Sequence, residues 1–156
     1  MCAGFAIYYE KLKKAQVKKC FTDTELEKFK KGDELEFYFW QKKPCVPIEE
    51  NGKVNLYEWG NRNNKELKMP KTGWCRAESL ASGKWDWLKP KIVHVPATRG
   101  FEKKKWFRTP KGIEAVLARQ GKEKKVYILT EPSSGFYSKL TGHDRMPVGD
   151  IKEIIE

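Results

Sequence analysis

The chain is poor in the residues that bind metal. Its four cysteines, Cys2, Cys20, Cys45 and Cys75, include no C-x-x-C pair, and its only histidines are His94 and His143. A structural zinc site needs paired ligands at short spacings, so no metal and no other cofactor is expected. No apolar run approaches the roughly 20 residues that span a bilayer. No charged-then-apolar leader precedes the first apolar run, and a membrane partner is not expected. Internal repeats, low-complexity linkers and composition breaks are also missing. Residues 1–156 are therefore expected to form one domain, large enough to bury a core unaided. The simplest expectation is a cytoplasmic monomer with free thiols.

What the chain has in excess is positive charge. Its 32 Lys and Arg stand against 21 Asp and Glu, a formal net charge of +11. Lys and Arg release condensed counterions when they neutralise phosphates, so the excess points to a nucleic acid. An acidic lipid surface fits less well, because no long amphipathic helix is evident. Six Trp, six Tyr and eight Phe accompany this charge, and some of them are expected to serve a surface.

Periodicity gives a strand-rich reading. "CAGFAIYY" is a short apolar run that reads as a buried strand starting at Cys2. "TDTELEKFKKGD" reads as a short helix, capped at Thr22 or Thr24, with Leu26 and Phe29 inward and Gly32 as its stop. "ELEFYFWQ" alternates Leu35, Phe37 and Phe39 against Glu34, Glu36, Tyr38 and Trp40, as a strand does. "KPCVPIEENGK" reads as a turn and "VNLYEWG" as the returning strand, before a polar loop over 61–72. "KPKIVHVPAT", "FEKKKWFR", "IEAVLARQ" and "KKVYILTEP" read as four successive strands, with "GKEKK" as a hairpin tip. "VGDIKEIIE" reads as a closing helix, with Asp150 as cap and Ile151, Ile154 and Ile155 on its apolar face. The fold class expected is α+β, a compact, barrel-like, mainly antiparallel sheet with a few short flanking helices.

Four places could carry chemistry. Cys2 would ordinarily be a small residue filling a strand. If Met1 is removed it acquires an α-amine with a pKa of about 7.7 to 8.0, substantially neutral near neutral pH. A 1,2-aminothiol can form an imine with an aldehyde and close its sulfur onto it, giving a thiazolidine. His143, in "TGHDRMPVGD", could move protons near neutrality. "TGWCRAESLASGKWDW" interleaves Arg76 and Glu78 with Trp74, Trp85 and Trp87, a composition that suits phosphate contact and base stacking. "PATRGFEKKKWFR" sets Glu102 before Lys103 and Lys104: an acid to orient an amine, and cations to draw in a strand.

Taken in order, these pieces resemble the SRAP family, the SOS-response-associated peptidases that cross-link to abasic sites in DNA. The motifs are "MC" at the start, "WCRAES" at 74–79, "PATRGFEKKKW" at 96–106 and "HDRMPV" at 143–148, with "YEWG" at 57–60 in support. The resemblance implies that Met1 is lost, by autoproteolysis or otherwise, and that Cys2 bonds to the aldehyde of an abasic site in single-stranded DNA. It assigns Cys2, Glu102 and His143 to catalysis, and Arg76, Trp74, Trp85, Lys103, Lys104 and Arg145 to DNA binding. Trp74 stands where the family has asparagine, whose hydrogen bonds Asn61 or Asn63 would have to supply. Aligning the glutamate motif on Gly-Phe gives Glu102, whereas aligning it on the tryptophan gives Lys105. Two other classes stay open, an N-terminal-nucleophile amidohydrolase of the class II glutamine amidotransferase kind and a basic nucleic-acid-binding barrel without chemistry.

Overall fold

In the computed structural model, which describes residues 3–12, 14–18, 20–27, 33–62 and 64–152, the chain is a mixed α+β structure composed mostly of strands. In chain order the strands are β1 (Gly4–Tyr8), β2 (Glu34–Tyr38), β3 (Cys45–Glu50), β4 (Lys53–Trp59), β5 (Trp74–Arg76), β6 (Lys91–Val95), β7 (Arg99–Glu102), β8 (Lys105–Arg108), β9 (Ile113–Gln120), β10 (Glu123–Pro132) and β11 (Arg145–Pro147). The helices are short: α1 (Lys14–Val17), α2 (Asp23–Leu26), α3 (Ala77–Ala81) and α4 (Gly135–Thr141). No helix among the described residues is long and apolar enough to cross a membrane.

The strands form two sheets. One has the order β2-β1-β7-β8 and is antiparallel throughout. In the other, β10-β4-β3-β6-β9 closes on itself when β9 pairs with β10, giving a five-stranded barrel. Closure removes the edges that a sheet of this size would otherwise expose. β5 and β11 extend β10 past the barrel rim.

Side-chain alternation explains the core. Phe5 and Ile7 of β1, with Leu35 and Phe37 of β2, point from the small sheet into a cluster shared with barrel residues Val46, Ile48, Trp59, Val95, Leu117, Val126 and Ile128. The Phe5 ring lies 5.5 Å from Phe37 and 5.2 Å from Trp59. The other faces of β9 and β10 are buried too: Val116, Ala118, Tyr127 and Leu129 pack against Met69, Cys75, Trp85 and Leu88. Burial on both faces is why these two strands read as continuous apolar runs.

Several expectations need correction. The stretch read as a turn before Asn51 is β3, and its turn is confined to Asn51 and Gly52, both at positive φ. Pro47 is tolerated there because β6 meets β3 only at Glu49, so Pro47 lacks a partner strand on that side. "FEKKKWFR" is a hairpin rather than one strand. Glu102 pairs with Lys105, and Lys103 and Lys104 form a two-residue loop with φ of 46° and 66°. The closing segment is extended where it is described: Lys152 and Arg108 exchange backbone hydrogen bonds of 2.8 and 2.9 Å, because β8 offers a free edge there. Ile154 and Ile155 lie outside the described residues, as do Phe29 and Gly32 of the first helical reading. That helix is α2, with Thr22 and Glu25 forming a reciprocal capping box.

The thiols are also not all free. Cys20 and Cys45 form a disulfide that ties the α1–α2 segment to the start of β3. Cys75 stays free but fully buried, and burial pushes its thiol up to about 12, so it is inert as a nucleophile.

A left-handed conformation costs an L-residue roughly 1–2 kcal/mol, and glycine escapes the cost. Lys104→Gly is therefore expected to stabilise the fold by about 1 kcal/mol, a rise in Tm of roughly 2–4 °C by calorimetry. An unchanged or lowered Tm would contradict the two-residue turn.

Candidate functional site

The separated motifs are linked by a chain of contacts that passes through the amino end of β1. The Ala3 N–H donates to Phe101 O at 2.8 Å, and the Ala3 carbonyl accepts from Phe39 N–H at 3.2 Å, so the chain entering β1 is held on both sides. Phe39 lies 4.9 Å from the ring of Trp74, the first residue of β5. β5 runs parallel to β10, with Arg76 opposite Thr130. The carbonyl and hydroxyl of Thr130 accept from the Arg145 guanidinium at 2.9 and 3.2 Å. The Arg145 N–H donates to His143 Nδ1 at 3.0 Å. One residue earlier, the Gly142 carbonyl accepts from Lys103 Nζ at 3.3 Å. Lys103 follows Glu102 and Phe101, which closes the circuit at Ala3. Cys2 lies outside the described residues; Ala3 marks where the chain reaches this circuit.

His143 is held by three backbone-directed bonds. Its carbonyl accepts from Ser133 Oγ at 2.8 Å, its N–H donates to Thr141 Oγ1 at 3.2 Å, and its Nδ1 accepts from Arg145. An accepting Nδ1 carries no proton, which puts the ring hydrogen on Nε2. Asp144 Oδ1 stands 3.4 Å from the same Nδ1, but that nitrogen is already an acceptor and the Asp144 carboxylate is almost fully exposed, so the contact is not an ion pair. The imidazole is thereby oriented through Nδ1.

Some expected residues hold other posts. Trp85 is buried against Tyr127, ring centroids 4.8 Å apart, and cannot stack on a base. It belongs to the layer that covers β9 and β10, whereas Trp87, two residues on, is the exposed one. Arg145 is 7% exposed and makes a bidentate pair with Glu78, at 2.7 and 3.1 Å. Its charge is committed to that carboxylate and to Thr130, which removes it from the phosphate-binding set. Asn61 does not replace the asparagine absent at 74. It is buried, and its amide donates to Asn64 O and Met69 O while its Oδ1 accepts from Asn64 N–H, closing its own loop. Asn63 lies outside the described residues. Glu102 is buried on the inner side of β7, Trp74 is half-buried against Phe39 and Trp59, and Arg76, Lys103 and Lys104 are exposed.

The sequence reading missed an aromatic row on the outer face of the small sheet. The pairs Gly4↔Tyr38, Gly4↔Phe101 and Phe101↔Trp106 line up four strands. Trp40 stacks on Tyr38 at 4.4 Å and 18° and is 58% exposed. Phe101 lies 4.9 Å from Trp106, whose face is covered by the Arg99 guanidinium at 4.4 Å. A Cβ at position 4 would stand 2.5 Å from the Tyr38 ring, so glycine is what lets that ring lie across β1. Burial, then Glu36, pushes the Tyr38 hydroxyl up to about 12, so the row stays neutral at working pH. The available signal was the polar-side phase of "ELEFYFWQ": its outward residues include two aromatics. A stacked ring pair with Trp40 exposed, beside half-buried rings and cations, can hold a base of a single strand.

Among the described residues no three His, Cys, Asp or Glu side chains are grouped to hold a metal ion. Compared with protein-family models and with curated proteins, the chain matches none.

The Glu78–Arg145 pair gives a pH prediction. The hydrogen bond from Arg145 holds the Glu78 carboxyl below its ordinary value. A lowered carboxyl contributes stability above its unfolded value, about 4.3, and loses it as pH falls through the folded value. In urea unfolding, Glu78→Gln is expected to lower stability at pH 6–7, and the gap to the unsubstituted protein should close as pH falls below the unfolded value of about 4.3 and through the lowered folded one. A gap that stays constant with pH would refute the ion pair.

Proposed function

We propose that the protein captures abasic sites in single-stranded DNA by a covalent bond to Cys2. The observation that supports this most is the contact circuit: motifs up to 140 residues apart in the chain, from Ala3 to His143, are joined in one closed chain of contacts. With Met1 removed, the α-amine of Cys2 condenses with the sugar aldehyde and releases water. The Cys2 sulfur then adds to the imine carbon while the nitrogen takes the thiol proton, giving a thiazolidine. Reaction therefore needs no external oxidant or cofactor.

Each neighbour has a part in this reading. Arg76, exposed at the end of β5, and Lys103, in the β7–β8 turn, meet backbone phosphate. His143, oriented through Nδ1, handles the proton on the deoxyribose side. Glu102 lies on the strand whose Phe101 carbonyl holds Ala3, the right chain position to orient the amine. The rings of Tyr38 and Trp40 receive a base beside the gap.

Incubation with single-stranded DNA carrying one abasic site is expected to give a denaturant-stable band from a preparation whose intact mass shows Cys2 at the terminus. Cys2→Ala should abolish it, and His143→Gln should slow it by roughly 10²-fold or more. Undiminished adduct from Cys2→Ala would end the proposal. Salt-sensitive binding without any adduct would favour the barrel that binds without reacting, a reading to which Trp74 at the asparagine position lends weight. Glutamine hydrolysis would favour the amidohydrolase.

A further inference from the structure

We infer that a cleft at the far end of the small sheet holds phosphates of the same single strand, beyond the aromatic row. This rests on the DNA-binding part of the reading above, and not on the reaction of Cys2. Two residues along each strand from the aromatic row, about 7 Å by strand rise, the outer face changes character. The pairs Ala6↔Glu36, Ala6↔Arg99 and Arg99↔Arg108 form a charged row. Past it opens a cleft of about 480 Å³, bounded by Tyr8, Lys11, His94, Arg99, Arg108 and Lys111.

The charges in the cleft are unevenly satisfied. Arg99 Nε donates to Glu34 at 2.7 Å, which neutralises one cation and fixes its guanidinium against Trp106. Lys11, Arg108 and Lys111 have no carboxylate partner among the described residues. Glu49 is the remaining acid of the lining, opposite His94 in the β3–β6 pairing. Three uncommitted cations against one acid leave a net positive cleft, open to solvent, where an anion would be drawn.

The wall carrying Lys111 is stiff. Thr109 Oγ1 donates to Ala97 O at 2.8 Å, Thr109 N–H donates to Thr98 O at 3.0 Å, and Gly112 N–H returns to Thr109 O at 2.9 Å. Gly112 has φ of 72°, and a Cβ there would stand 2.6 Å from the His94 ring, so glycine seats the imidazole against the turn. Cations on a fixed turn and a fixed strand lose less freedom on binding than cations on a loop. Arg99 joins the two surfaces, since it touches the aromatic row and lines the cleft. A strand stacked on Tyr38 and Trp40 would run its backbone over Arg99 towards Arg108 and Lys111.

The test uses the whole protein and a plain 15-nucleotide oligothymidylate, followed by fluorescence anisotropy across a salt series. Arg108→Gln with Lys111→Gln should weaken the 15-mer about tenfold and make its log–log salt slope shallower by roughly 1.4, at 0.7 per phosphate contact on a single strand. The control pair Lys122→Gln with Lys124→Gln, at the β9–β10 tip, should leave both the affinity and the slope unaffected. An equal loss from both double variants, or no loss from either, overturns the inference. Inorganic phosphate that shifts the His94 resonances, with no effect of the double variant on the 15-mer, would assign the cleft to a free anion and also overturn it. Cross-linking of an abasic 5-mer by the same double variant reports the Cys2 reading separately.

Discussion

The pairing of β10 with four other strands is the constraint on which the rest depends. Along one edge it binds β9 and then β11; along the other, β4 and then β5. Its first half closes the barrel and its second half carries the site. β4 and β5 occupy successive stretches of one edge, joined by the loop over 61–72. The loop is clamped where it leaves and returns: Gly60 N–H donates to Val126 O, Asn61 N–H to Thr72 O, and Trp59 Nε1–H to Gly73 O. Every backbone group in that span must find a partner if it is buried, and Asn61 supplies several at once. The loop therefore returns at Trp74 in register, and Arg76 comes to lie opposite Thr130.

The small sheet contributes in a different way. β1 is flanked by β2 and β7, and its two faces are put to separate uses. Phe5 and Ile7 anchor it in the shared core, while Gly4 and Ala6 on the outer face have too little bulk to fill the sheet surface. Large rings from the neighbouring strands lie over them instead. The same alternation that secures the amino end thus produces a flat aromatic surface next to it. A one-residue slip of β1 would expose Phe5 and bury the surface that Gly4 leaves open, so register and candidate function are fixed by the same apolar residues.

Much of this was legible in the sequence, for identifiable reasons. β1, β2, β4, β6, β9 and β10 announce themselves by alternation or by continuous apolar runs, and Gly121 marks the turn that joins the last two. The capping box at Thr22 is local chemistry and is visible as such. The failures concern information that is not local. Nothing in "FEKKKWFR" signals a two-residue turn, because Lys103 and Lys104 lack the Asn-Gly chemistry that such turns usually show. The Asp150 segment has helical spacing, but the free edge of β8 takes its backbone. Trp85 and Trp87 are alike as letters, and only the covering of β10 decides that one is core and the other surface. The disulfide joins residues 25 apart, and no spacing rule singled out Cys20 and Cys45.

Charge shows the same limit in its sharpest form. The net value of +11 states an excess but not its location. Arg145 lies in the most specific motif of the chain, yet its guanidinium is consumed by Glu78 and Thr130, and it positions His143 through its backbone N–H. Lys125 is buried and paired with Glu58 at 2.6 Å. Pairing offsets part of the desolvation cost of such cations and leaves little charge to attract an anion from outside. A phosphate is drawn only by cations that no carboxylate holds, and among the described residues Arg76, Lys103, Arg108 and Lys111 form no ion pair. Binding capacity is accordingly set by the carboxylates as much as by the lysines and arginines, since each pair formed within the fold subtracts one cation from the surface.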